Sequence, residues 1–153
     1  MAIKKKFKKA KMGRYIPKNM EKYIGRDLPI TRSSWERKMC QWLDCNPNII
    51  QWSSESNTVP YYDPIQMKNR RYYPDFFIKV KDTNGNMIKY LIEVKPVKET
   101  KPPTHSKKHS KKTKLWQEAT YATNIAKWEA AKKYCHKLGY KFMIITEKEL
   151  FKK

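Results

Sequence analysis

The chain has 153 residues, 39% apolar and 13% aromatic, enough to bury one modest core, and no shift in composition marks a second domain. Thirty-five Lys and Arg against fourteen Asp and Glu leave a formal charge of +21, far beyond what solubility requires, so a polyanion such as nucleic acid is the natural partner. No apolar stretch approaches the roughly 20 residues of a membrane span, and the lysine-rich start lacks the apolar run of a signal peptide, so a soluble, intracellular protein is expected. Cys40, Cys45 and Cys135 are odd in number and lack C-x-x-C spacing, which points away from both a disulfide framework and a zinc site.

Residues 1–20 read as a basic arm preceding a domain over 21–153. The lysines at Lys4, Lys5, Lys6, Lys8, Lys9 and Lys11 stand among too few apolar residues to fold alone. The arm either orders on a phosphate backbone or stays a solvated tail. "SWERKMCQWLD" predicts a helix over 34–44 with Trp35, Met39, Trp42 and Leu43 in one apolar stripe, stopped by Asn46 and Pro47. Ser33 followed by Glu36 has the spacing of a capping box, in which the glutamate reaches back to the serine N–H. Short strands are predicted over 48–54 and 58–62, with a turn at Asp63 and Pro64. The strongest strand patterns cover 70–81 and 88–95, joined across "DTNGNM".

The stretch 97–114, rich in Pro, Lys, Ser and Thr, predicts a long exposed basic loop, placed to close over a nucleic-acid strand or simply a flexible insertion. His105 and His109 lie four apart there, but no predicted helix holds them as a metal pair. From Leu115 to Gly139 the longest helix carries Tyr121, Ile125, Trp128, Ala131, Cys135 and Leu138 on one side, with Gly139 as its left-handed cap. "YKFMIIT" then predicts a strand buried on both faces. The order implies an α/β domain with a central mixed sheet flanked by helices.

Side chains alternate along strands, so Phe76, Ile78 and Val80 share a core face with Ile88, Tyr90, Ile92 and Val94. Asp75, Glu93 and Lys95 then fall on the opposite face. A two-residue turn would set Asp75 against Val94, the wrong face, whereas a three-residue loop over Asn84–Asn86 pairs Asp75 with Lys95 and Phe77 with Glu93. An odd loop or a bulge is therefore expected, with Pro74 marking an edge or bend beside Asp75. Two carboxylates with the Val94 carbonyl form an all-oxygen pocket suited to a hard divalent cation; the plainer alternative is a surface ion pair with Lys95 or Lys79. The tyrosines and tryptophans read mainly as core, though Tyr72 or Tyr73 could stack on a frayed base.

"YYPDFFI" followed by "YLIEVKP" resembles the PD-(D/E)XK nuclease signature, with Pro74-Asp75 as its first half and Glu93-Val94-Lys95 as its second. In order, "RSSWERKMCQWLDCNPNIIQWSSE", "VPYYDPI", "RRYYPDFFI", "LIEVKP" and "NIAKWEAAKKYCHKLGYKFMIITEKEL" resemble the head completion nucleases of T-even-like tailed phages, over about residues 13–151. The chain is also similar to the amino-terminal nuclease domain of TnsA. The loop over 97–114 aligns with no functional role. The resemblance implies a single restriction-endonuclease-like domain in which Asp75 and Glu93, helped by the Val94 carbonyl, bind magnesium or manganese. Lys95 would position or activate the attacking water and steady the phosphorane charge. Glu36 matches a first-helix glutamate that often joins the metal site, which stands beside its capping-box reading. Asn124 and Lys127 match the family's long-helix motif and would contact the site or the phosphate, or else form a solvated face. The implied role is cleavage of double-stranded phage DNA during head completion, in the cytoplasm of the infected host and at the virion, with portal or neck proteins as partners. The alternative is a non-catalytic head or neck protein that holds the packaged DNA end electrostatically. A generic basic RNA-binding protein would leave "YPDFFI" and "LIEVKP" without purpose.

Overall fold

The computed structural model describes residues 13–152. β1 (Gly13–Arg14) pairs antiparallel with β2 (Ile30–Thr31), and a 3-10 turn at Met20–Lys22 lies between them. There follow α1 (Ser34–Cys45), β3 (Ile49–Ser54), β4 (Val59–Asp63), β5 (Lys68–Tyr72), β6 (Phe76–Lys81) and β7 (Met87–Val94). A second 3-10 turn (Val97–Thr100), α2 (Lys111–Leu138), β8 (Lys141–Ile145) and α3 (Glu147–Leu150) complete the chain.

The central sheet has the order β3-β6-β7-β8. Its first two pairings are antiparallel and β7-β8 is parallel. A parallel neighbour needs a long crossover, and α2 supplies it. β4 and β5 form a separate antiparallel hairpin. Each face of the sheet has its own core. Phe76, Ile78 and Ile92 pack with Met39, Cys40 and Leu43 of α1 and with Tyr15, Tyr23, Ile49 and Trp52; Val80, Tyr90 and Val94 join this face as expected, and Ile88 does not. Phe77 and Leu91 pack on the other side with Val59, Tyr61 and Tyr72 of the hairpin and with Trp128, Ala131 and Cys135 of α2.

Several expectations change in detail. The strand foreseen over 70–81 is two strands in different sheets, because Pro74 has no N–H for a ladder and breaks the run between Tyr72 and Phe76. Trp42 is 50% exposed, and the buried positions of α1 are Met39, Cys40, Leu43 and Asp44. Trp35 instead meets Phe151 edge to face, with ring centroids 5.6 Å apart. α2 begins at Lys111, inside the predicted loop, because the Ser110 hydroxyl accepts from the Thr113 N–H. Ile125 and Leu138 are among its exposed residues, whereas Gly139 caps it at φ 71° as expected. β8 is an edge strand with Lys141 and Met143 exposed, not one buried on both faces.

The hairpin loop is odd, as predicted, but closes one residue early. Asp82 N–H donates to the Asn86 carbonyl at 2.8 Å, enclosing Thr83, Asn84 and Gly85. The Asp82 carboxylate also accepts from the Asn84 and Asn86 N–H groups, and Gly85 takes the left-handed conformation at φ 83°. Ladder partners therefore shift by two: Phe77 faces Leu91 rather than Glu93. Parity, and so the choice of face, is unchanged.

Candidate active site

Asp75 lies one residue before β6, and continuing the Phe76–Ile92 pairing by one step sets it across from Glu93, not Lys95. Its backbone carbonyl accepts from Glu55 N–H at 3.0 Å, and its carboxylate Oδ2 accepts from Val94 N–H at 2.8 Å. The backbone of Asp75 is thus tied to the end of β3 and its side chain to the end of β7. Burial and then the charge of Glu93 push its pKa up to about 8, against help from the Val94 N–H and Lys95.

Glu93 is 8% exposed. Its Oε2 accepts the Tyr72 hydroxyl at 2.5 Å and its Oε1 lies 3.4 Å from Lys95 Nζ. Burial raises its pKa even though Lys95 and Tyr72 favour the ionised form. Lys95 is held by its own N–H, which donates to the Ile145 carbonyl of β8 at 2.9 Å. Lys127, from α2, places Nζ 5.7 Å from the centre of the Tyr72 ring and 5.9 Å from that of Tyr61. Burial lowers its pKa, opposed by the pull of Glu93.

The half-buried Asp75 and the buried Glu93 face one another and repel, and among the described residues the one lysine at ion-pair distance reaches Glu93 and not Asp75. This donor set fits a hard divalent cation, which would relieve both the desolvation and the repulsion. Among the described residues no three His, Cys, Asp or Glu side chains gather into a cage. Glu36 keeps the cap: its N–H donates to Ser33 Oγ at 3.1 Å and its carboxylate accepts from Arg32 N–H, one residue before the partner expected. Its charge still raises the pKa of Asp75.

Asn124 lies one turn before Lys127 and lines a cleft between α2 and the segment after Lys95. His105 pairs with Glu118 at 2.7 Å. Of the expected arm, Tyr15 is buried and its hydroxyl donates to Asp44 at 2.7 Å, so the chain is packed from Gly13 onward. Lys4, Lys5, Lys6, Lys8, Lys9 and Lys11 lie outside the described residues. Sequence reasoning missed Tyr72 as the donor to Glu93. Strand alternation through "RRYYPD" sets Tyr73 on the side of Asp75, but the break at Pro74 turns Tyr72 inward and leaves Tyr73 47% exposed.

The family model described as TnsA-like endonuclease N terminal matches residues 46–147, a span that contains Asp75, Glu93, Lys95 and Lys127. The chain belongs to this TnsA-like endonuclease family. It is also 42% identical over 139 residues to the head completion nuclease of Enterobacteria phage T4, covering 88% of this chain and 90% of that protein. As a TnsA-like member, the chain is a single restriction-endonuclease-like nuclease domain, and its mixed sheet between helices is the architecture expected of one.

Proposed function

We propose that the chain is a divalent-metal-dependent endonuclease of the PD-(D/E)XK type that hydrolyses phosphodiester bonds of double-stranded DNA. The observation that carries this reading is the convergence of Asp75, Glu93 and Lys95 at the ends of β6 and β7, two carboxylates and a lysine on one face. Asp75, Glu93 and the Val94 carbonyl would hold magnesium, with manganese as a substitute. Bound there, the cation would supply charge neutralisation at the phosphate and make water easier to deprotonate.

The protein's own groups account for the rest. Lys95 Nζ, fixed beside Glu93, donates to the incoming water or to a non-bridging phosphate oxygen and offsets the negative charge that grows there. Water oxygen forms the new bond to phosphorus as the bond to the departing sugar oxygen breaks, and that oxygen leaves with a proton. Tyr72 keeps Glu93 oriented throughout. Lys127 adds positive charge on the helix side, where a phosphate would approach.

The likeness to a head completion nuclease supports phage DNA ends as the substrate, after packaging. On that reading the chain acts in the cytoplasm of the infected host and at the assembling virion, with portal or neck proteins as its partners. Cleavage of linear and nicked duplexes in magnesium is the test, with binding followed in parallel. Asp75→Asn and Lys95→Ala should abolish cutting and keep binding. A wild-type protein that binds but never cuts with any divalent metal would instead support a non-catalytic holder of the DNA end.

A further inference from the structure

Two walls diverge from the candidate active site. One is the chain immediately after Lys95, which turns at Pro96 into the Val97–Thr100 3-10 turn; the other is the amino-terminal half of α2, running back from Lys127. Between them lies a cleft of about 320 Å³, lined among others by Lys98, Lys101, Trp116, Gln117, Tyr121 and Asn124. The first wall is anchored, since Val97 N–H donates to the Glu147 carboxylate at 2.9 Å and Thr100 Oγ1 donates to the Val97 carbonyl at 2.6 Å. Farther along, the His105–Glu118 contact ties the loop to α2 at 2.7 Å.

Three features of the cleft remain unexplained by the reaction. Trp116 is 67% exposed, although burying an indole is favourable and this domain has apolar surface to offer it. The Gln117 amide oxygen is buried without a hydrogen-bond partner among the described residues, an arrangement that costs free energy unless a donor arrives. Finally, Lys98 and Lys101 line the cleft against one acid, Glu99, within a stretch, 97–114, that carries seven lysines and that single glutamate. An aromatic plane, an unsatisfied acceptor and concentrated positive charge are together the chemistry of a nucleotide with its base unpaired.

We propose that this cleft binds the unpaired nucleotides of a DNA end, with a base stacked on Trp116, its edge amine donating to Gln117, and phosphates on Lys98 and Lys101. The proposal rests on the nuclease reading for its substrate and adds to it a subsite that selects frayed or tailed ends. Trp116 is eleven residues from Lys127, about 16 Å along the helix axis. That span is roughly five base steps at the 3.4 Å rise of one DNA strand. A tail of about that length reaches from the cutting site to the tryptophan.

The test is binding of the full chain, in chelator so that nothing is cut, to a blunt duplex and to the same duplex with single-stranded tails of increasing length. Wild type should bind the tailed duplex about tenfold more tightly, the scale of one stacked base. The advantage should level off near the length given above and vanish with an abasic tail. Trp116→Ala should erase the advantage and leave blunt-end affinity unchanged, while Trp116→Phe should keep most of it. Equal wild-type affinity for blunt and tailed duplexes, or a Trp116→Ala loss of the same size on both, would overturn the proposal. Because the readout is binding without metal, an inactive nuclease would not imitate a failed cleft.

Discussion

Tyr72 donates its hydroxyl hydrogen to Glu93 Oε2 at 2.5 Å across the gap between the β4-β5 hairpin and the central sheet. A separate two-stranded element thereby sets the orientation of a carboxylate on β7, and burial followed by the Glu93 charge drives the Tyr72 pKa far upward, so the phenol stays a donor.

Tyr72→Phe keeps the packing and removes that donor. A hydrogen bond to a charged group contributes about 1.5–3 kcal/mol, so cleavage should fall roughly tenfold or more at neutral pH. The hydroxyl lowers the pKa of Glu93, so its loss raises it, and the acid limb of the pH–rate profile should move to higher pH. A profile that keeps its position while the rate falls would reduce Tyr72 to a packing role.

Asp75→Asn tests the cost of the carboxylate pair. Its folded-state pKa of about 8 stands above the ordinary 3.8, so its contribution to stability is fully present below the ordinary value and lost as pH rises through about 8. The metal-free wild type should therefore lose more melting temperature between about pH 6 and pH 9 than the variant does. Magnesium should raise the wild-type melting temperature, more at the higher pH, where no proton has to leave, and should not shift the variant. Differential scanning fluorimetry reads all of these; identical pH dependence in the two proteins would contradict the pairing.

Lys127→Met keeps the stem against Tyr61 and Tyr72 but deletes the charge. Single-turnover cleavage should drop about tenfold, the size of one lost charge-assisted contact. Burial already disfavours the ammonium, so the melting temperature should hold or rise. Unchanged cleavage would remove Lys127 from the site.

Asp44, fully buried at the end of α1, accepts from Tyr15 Oη, Lys18 N–H and Asn19 N–H. Burial opposes its ionisation, but these donors outweigh it and lower the pKa. Its stabilisation is thus present above the ordinary carboxylate range and lost as pH falls through the lowered value. Asp44→Ala should lose roughly 2–4 kcal/mol in urea at neutral pH, because three donors are left without an acceptor. The difference between variant and wild type should shrink in acid, and a constant difference would show that charge is not what Asp44 contributes.

By itself the sequence determined which residues could share a face. Strand alternation is a local property, so Phe76, Ile78 and Ile92 on one side, and Asp75, Glu93 and Lys95 on the other, follow from spacing once the loop is odd. The charge of +21 likewise pointed to a polyanion partner, and the family resemblance carried by the "YPDFF" and "IEVK" stretches implied a nuclease. Tertiary structure decided what those residues touch. The Asp82 turn chose between loop registers that alternation cannot tell apart, and so set Asp75 against Glu93. The hairpin brought Tyr72 to Glu93 and α2 brought Lys127 beside both, pairings that depend on how separate elements pack. Trp116 and Trp42 are as apolar in sequence as Trp128, and only packing against the sheet distinguishes the buried ring from the two exposed ones. Residue type sets the free-energy gain from burial, but the partner surface that realises it comes from distant parts of the chain.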